Sequence, residues 1–140
     1  MKSRLTQQRK LILDVIQAAC YHPTAEQIHQ LAQKSMPNLS VGTVYRNLDV
    51  LRDEKRIKRI DIPGEPARFD ADPSHKAYFV CRDKGSIYDL DLDAATLSKL
   101  LKDHPAIQRI DDFSLVVFGT AKDTMTERGM RKGRVNQFLN

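Results

Sequence analysis

Across the first 70 residues the apolar period changes once, from helical to alternating, and that change restricts the folds open to the chain. Thr6 can cap a helix in which Leu11, Ile12, Val15 and Ile16 recur at helical spacing, and Tyr21-His22-Pro23 ends it. Thr24-Ala25-Glu26-Gln27 has capping-box spacing, and Ile28, Leu31 and Ala32 give the second helix an apolar stripe. Pro37-Asn38-Leu39 breaks that helix. Ser40 can cap a third, with Val44, Leu48 and Leu51 on one face. Three short helices with tight connections predict a helix-turn-helix arrangement. Alternation then takes over: Ile57-Lys58-Arg59-Ile60-Asp61 and Ala67-Arg68-Phe69-Asp70 flank the turn-rich Pro63-Gly64-Glu65-Pro66, which predicts a β-hairpin, the wing of a winged helix.

Asp70 to Ser74 is polar, contains Pro73 and reads as a hinge. Beyond it, strands are expected at Ala77–Cys81, Ser86–Leu90 and Phe113–Phe118, and a helix at Ala94–Leu101. The alternating aspartates of Asp89-Leu90-Asp91-Leu92-Asp93 lack the glycine and distal glutamate of a calcium loop, so they read as ordinary strand-to-helix capping. The expected fold class is α+β: an N-terminal winged helix over residues 1–71, a small α+β domain over 75–119 and a basic tail over 120–140, either a short helix or a flexible arm.

Charge points to the partner. The net charge is +5; residues 1–70 hold 12 Lys/Arg against 8 Asp/Glu, whereas residues 71–140 hold 11 against 10. Attraction for phosphate is therefore concentrated in the helical half. No apolar stretch is long enough for a bilayer, the start lacks a signal peptide, and the only cysteines are Cys20 and Cys81; the expected location is the cytoplasm, with no membrane partner. No nucleophile–base pairing, phosphate loop or HExxH helix is present, so an enzyme is not expected.

The third helix carries the most chemistry. Val44, Leu48 and Leu51 can pack, while Thr43, Tyr45, Arg46 and Asn47 offer hydrogen-bonding groups near the N-terminal end, where a recognition helix meets base edges. Alone, such a face also suits a solvated amphipathic helix. Lys58, Arg59 and Arg68 on the wing, placed for phosphate, favour duplex DNA.

Arg4-Leu5-Thr6-x-x-Arg9 with Ile12-Leu13, then His22-Pro23-Thr24-Ala25-Glu26-x-Ile28, Thr43-Val44-Tyr45-Arg46-Asn47-Leu48 and Arg68-Phe69-Asp70 resemble the ferric uptake regulator family in order and spacing, over roughly residues 4–119. The resemblance implies a winged-helix DNA domain joined to an α+β dimerisation domain, with Tyr45 and Arg46 on bases, Arg4 in the minor groove and Arg9 on phosphate. Phe79, Ile87, Leu115 and Val117 give apolar strand faces that predict a homodimer.

Family members commonly hold a structural zinc between two CxxC pairs. Here Lys84 replaces the second thiolate of Cys81-Arg82-Asp83-Lys84, and Thr120-Ala121-Lys122-Asp123 has no cysteine. One sulfur cannot build a tetrathiolate site, so no structural zinc is expected and Cys81 reads as a buried strand residue. The family's regulatory ligands fall on His22, Asp70 and Asp89. Its strand motif, His-x-His-x-x-Cys, places Lys76 and Tyr78 at the imidazole positions. His75 lies one residue out of register, which in a plain strand turns it to the opposite face unless a bulge near Pro73 restores it. Two readings stay open. In one, His22, Asp70, His75 and Asp89 take one Fe²⁺, Mn²⁺ or Zn²⁺. In the other the site has decayed, His22 caps a helix and Lys76 fills the cavity with its own charge. His29 and His104 read as surface residues.

The expected function is a dimeric, sequence-specific transcription regulator, a repressor on an AT-rich palindromic operator, in which metal, if bound, bridges His22 of the DNA domain to His75 and Asp89 of the dimer domain. The alternatives are a regulator whose metal control is lost or replaced, through a Lys76 pair with Asp70 or Asp89 or an oxidant or haem sensed at Cys20, and an interaction module without DNA affinity. Tyr45, Arg46, Lys58 and Arg59 argue against the last.

Overall fold

The computed structural model describes residues 5–19 and 21–122, so Arg4, Cys20 and the tail from 123 onward lie outside the described residues. Three helices come first: α1 (Gln7–Ala18), α2 (Ala25–Ala32) and α3 (Val41–Asp53). Each begins on the expected cap. Thr6 accepts from the Arg9 amide, Thr24 and Gln27 form both halves of a capping box, and Ser40 accepts from the Thr43 amide. Ile12, Leu13, Ile16, Ile28, Val44, Leu48 and Leu51 meet in one core with Leu39, Ile57 and Phe69. Burying a side chain of this size stabilises by about 1.5–3 kcal/mol, so the shared stripe, more than propensity, holds helices this short. Past α3, Lys55 turns left-handed (φ 59°) and Arg56 N–H returns to Leu51 O at 2.9 Å, ending the helix before the wing.

The wing pairs β1 (Lys58–Ile60) with β2 (Arg68–Asp70) antiparallel, Lys58 opposite Asp70. Its turn closes with Glu65 N–H on Ile62 O at 3.1 Å, with Pro63 next and then Gly64 at φ 78°, the order a type II turn requires. The segment before α2 lies beside β2, where Phe69 N–H donates to Pro23 O at 2.9 Å and Thr24 bridges Arg68. That contact carries His22 to Asp70.

The second sheet runs β4 (Ile87–Leu90), β3 (Ala77–Cys81), β5 (Leu115–Gly119). β3 is antiparallel to β4 and parallel to β5, so the chain crosses over between β4 and β5 through α4 (Ala94–Leu101). The third strand thus starts two residues later than its pattern predicts and gains Gly119. Asp93 caps α4, as expected of the aspartate run.

Packing crosses the connection between the halves. Ile60 and Ile62 of the wing bury themselves against Tyr78, Val80 and Ile87 of the sheet, and Ala19 and Tyr21 pack with Cys81 and Tyr88. Ile87, expected on a face awaiting a second copy, is fully buried by its own wing instead. The outward apolar surface is elsewhere: α4 buries no residue, Leu100 is 73% exposed, and Leu101 and Val117 are also open. The expected hinge is tied down: Asp72 N–H bonds Asp70 Oδ1, and Ser74 N–H bonds Asp72 Oδ1, both at 2.9 Å. Among the described residues no helix is long and apolar enough to cross a membrane.

Candidate metal centre and nucleic-acid interface

Four side chains from both halves converge at the seam. His22 comes from the loop before α2, Asp70 from the end of the wing, His75 from the connection and Asp89 from β4. His22 Nε2 lies 2.9 Å from Asp89 Oδ1 and 3.6 Å from Asp70 Oδ2. His75 Nδ1 lies 2.6 Å from Asp70 Oδ2 and 3.5 Å from Asp89 Oδ1. One donor atom each of His22, Asp70 and Asp89 falls within a 4.8 Å span. His75 precedes β3, so strand alternation does not bind it and no bulge is needed to turn it inward.

Two of the alternatives fail on geometry. Lys76 does not enter the cluster and pairs instead with Asp112 on the loop before β5. It therefore reaches neither Asp70 nor Asp89. His22 caps no helix, since Thr24 does so, and it is buried against the two carboxylates. His29, expected at the surface, is half-buried and bonds Leu39 O at 2.7 Å, bracing the turn that enters α3.

The electrostatics of the cluster follow from its isolation. Among the described residues, Asp70 and Asp89 form ion pairs with His22 and His75 alone, and Lys58 acts on Asp70 only at longer range. Burial by itself would lower the His22 pKa, but hydrogen bonds and charge from Asp70 and Asp89 outweigh it and raise the value. Burial would likewise raise Asp70; the His22 and His75 hydrogen bonds, His22 charge and the Asp72 amide hold its carboxyl well below the usual range. His22 Nδ1 is buried and lacks a hydrogen-bond partner among the described residues. Two carboxylates facing two imidazoles, with no lysine or arginine in direct contact among the described residues, fit a divalent ion of borderline hardness. A cleft of about 440 Å³ lined by His75, Asp89, Asp91 and Asp93 among others gives access from solvent.

Cys81 is fully buried and accepts from Ala121 N–H at 3.4 Å while its thiol donates to Asp83. The sulfur is used as a small core group with hydrogen bonds.

The DNA-facing residues divide. Tyr45 and Arg46 are exposed near the start of α3, with Arg46 Nη2 on Thr43 Oγ1 at 3.0 Å. Arg59 is exposed on the wing and pairs with Asp61 at 2.8 Å. Asn47, expected to read bases, is buried: it accepts from Arg9 Nε at 3.1 Å and donates to Thr43 O at 2.9 Å. It stands three residues after Val44 and four before Leu51, so helical geometry puts it on the packing side. Arg68, expected on phosphate, spans the seam: Nε donates to His22 O and Nη1 to Gly85 O at 3.3 Å. Lys58 is also drawn inward, its ammonium 5.9 Å from the centre of the Tyr78 ring. Burial and the neighbouring Lys76 charge lower its pKa. The Arg68 tie escapes sequence reasoning because it joins segments far apart in the chain; the strand motif puts Tyr78 at an imidazole position but does not show its bond to Asp70.

A three-helix unit with an exposed helix start beside a wing, followed by a small mixed sheet, defines a winged-helix DNA-binding regulator. The model of the ferric uptake regulator family matches residues 1–111. The peroxide-responsive repressor PerR of Staphylococcus saprophyticus is 30% identical over 120 residues, covering 86% of this chain and 81% of its own. The fold is that of the ferric uptake regulator of Francisella tularensis, solved with iron (TM-score 0.70, 18% identity, 86% of this chain and 92% of that one). It is also that of the Vibrio cholerae ferric uptake regulator (TM-score 0.67, 23% identity, 84% and 92%). The chain belongs to the ferric uptake regulator family of DNA-binding transcription regulators.

Proposed function

We propose that this chain is a metal-responsive repressor in which one divalent ion, Fe²⁺, Mn²⁺ or Zn²⁺, is held by His22, Asp70, His75 and Asp89. The observation that carries the proposal is the gathering of His22, Asp70 and Asp89 donor atoms within 4.8 Å of one another, with His75 Nδ1 set against both carboxylates. A bound cation would neutralise the facing carboxylates and fix the wing-bearing half on the sheet-bearing half. His22 and Asp70 belong to the half that carries α3; Asp89 lies on β4, and His75 on the connection that leads into β3. Residues 1–71 then act as the DNA-reading domain and 75–119 as the dimerisation domain, with the uncovered α4 and Val117 as surface for a second copy. A homodimer presents two recognition helices about one turn of DNA apart, which suits a palindromic, AT-rich operator. Thr43, Tyr45 and Arg46 meet bases, while Arg9 and Arg59 (and Arg4, outside the described residues) meet the backbone.

Fluorescence anisotropy on operator DNA tests this. Adding Mn²⁺ or Zn²⁺ to chelated protein should tighten binding about 5–150-fold, the range of ordinary coupling between sites. His22→Ala and Asp89→Ala should abolish the response while leaving the weak metal-free binding. Metal-independent operator binding in the wild type would overturn the proposal.

A further inference from the structure

Tyr78 touches three of the four side chains that meet at the seam. Its hydroxyl donates to Asp70 Oδ2 at 2.9 Å. Its ring stands edge-on to His22, with centroids 5.6 Å apart at 83°, and to His75, at 6.5 Å and 80°. The tyrosine is itself buried in the apolar cluster that joins wing and sheet, so its own position is fixed by Ile60, Val80 and Ile87. Lys58 covers the ring with a cation. The opposite oxygen of Asp70 is also held, since Oδ1 accepts from Asp72 N–H at 2.9 Å. The carboxylate is thereby gripped at both ends, with Oδ2 alone turned toward His22 and His75.

We infer that Tyr78 is the positioning residue of this site, holding Asp70 to a single presented oxygen and both imidazoles to one orientation, and that it thereby favours a four-coordinate ion such as Zn²⁺ over Mn²⁺. The inference rests on the metal reading proposed above. One donor from each of four side chains makes a small set of two nitrogens and two oxygens. Zn²⁺ accepts four ligands readily, whereas Mn²⁺ favours more oxygen donors. A hydrogen bond that orients a ligand commonly matters about 10–100-fold in metal affinity. Without the hydroxyl, Asp70 can rotate about its Oδ1 contact and offer its second oxygen, which raises the coordination number and narrows the preference.

The test uses the full-length protein, wild type and Tyr78→Phe, titrated with Zn²⁺, Mn²⁺ and Co²⁺ against a chromophoric chelator. Phe keeps the ring in the core and removes only the donor, and circular dichroism of the metal-free variant checks that it folds. The wild type should give the intense visible Co²⁺ bands of a four-coordinate site. The variant should bind Zn²⁺ about tenfold or more weakly, show a smaller Zn²⁺-to-Mn²⁺ affinity ratio and give weaker Co²⁺ bands. A loss of core packing alone would not move the ratio or the bands. If the wild type binds no metal, or binds it equally well after His22→Ala, the metal reading itself fails. If the wild type binds at His22 but Tyr78→Phe leaves ratio and bands unchanged, Tyr78 positions nothing and the inference is overturned.

Discussion

Arg68→Ala separates a structural role from a DNA contact at one residue. In sequence it sits on the wing among basic neighbours, where a phosphate contact is the natural expectation. In the structure its guanidinium leaves the wing's surface and joins His22 O to Gly85 O. The first of these bonds is part-buried and comes from a charged donor, so losing it costs about 1.5–3 kcal/mol. The second is exposed and long, and adds on the order of 0–1 kcal/mol. The sum, about 1.5–4 kcal/mol, should appear as a lower urea midpoint in the chelated protein, compared at one fixed concentration since self-association would shift the midpoint. Arg68→Lys should recover little, since an ammonium cannot span two carbonyls as the planar fork does. Removing a phosphate contact would instead lower the slope of log affinity against log salt by about one. The structure predicts no change in that slope. An Arg68→Ala protein with full stability and a slope reduced by one would refute the assignment.

Asn47→Ala should cost about 1–3 kcal/mol of stability, because it removes a buried amide with its bonds to Arg9 Nε and Thr43 O, and the same urea melt reads it. Arg46→Ala should leave stability unchanged and weaken operator over random DNA by about 1–3 kcal/mol in a competition assay. The pH profile follows from His22, whose folded pKa is raised above the ordinary 6.5. Its contribution to the metal-free fold is complete below that ordinary value and is lost as pH rises through the folded one, while metal affinity, which needs a neutral imidazole, climbs over the same interval. Thermal melts in chelator across that window check the first part, and a flat profile would contradict it. Finally, a strong chelator should leave the far-ultraviolet circular dichroism intact, since Cys81 serves as a hydrogen-bonded core thiol; cooperative unfolding on chelation would show a structural metal.

The helical half was almost fully legible. Thr6, Thr24 and Ser40 are local signals, and each fixes a helix start without help from distant residues. The wing was equally plain from Pro63-Gly64 between alternating runs. What sequence could not show was the packing of the wing on the sheet. Ile87 and Val117 carry the same apolar alternation, yet one is buried by Ile60 and Ile62 and the other stays open. Strand periodicity gives a face but not its partner. For the same reason three basic or polar residues were placed on DNA that turn inward: Asn47, Lys58 and Arg68. The cluster was partly visible. His22, Asp70 and Asp89 came from the family pattern, and His75 was in doubt only because it was counted as part of a strand that begins at Ala77. Lys76 looked like a built-in cation until its partner, Asp112, proved to lie across the sheet from the site. Tyr78 stands at an imidazole position of the strand motif, but its bond to Asp70, eight residues away around a turn, has no sequence signal.

Anomalous diffraction from crystals of the zinc-loaded dimer, collected at the zinc edge, tests the central claim most directly. The account predicts one strong peak per chain at the seam, within bonding distance of His22 Nε2, Asp70 Oδ2, His75 Nδ1 and Asp89 Oδ1. A peak near Cys81, or none between the two halves, would contradict it.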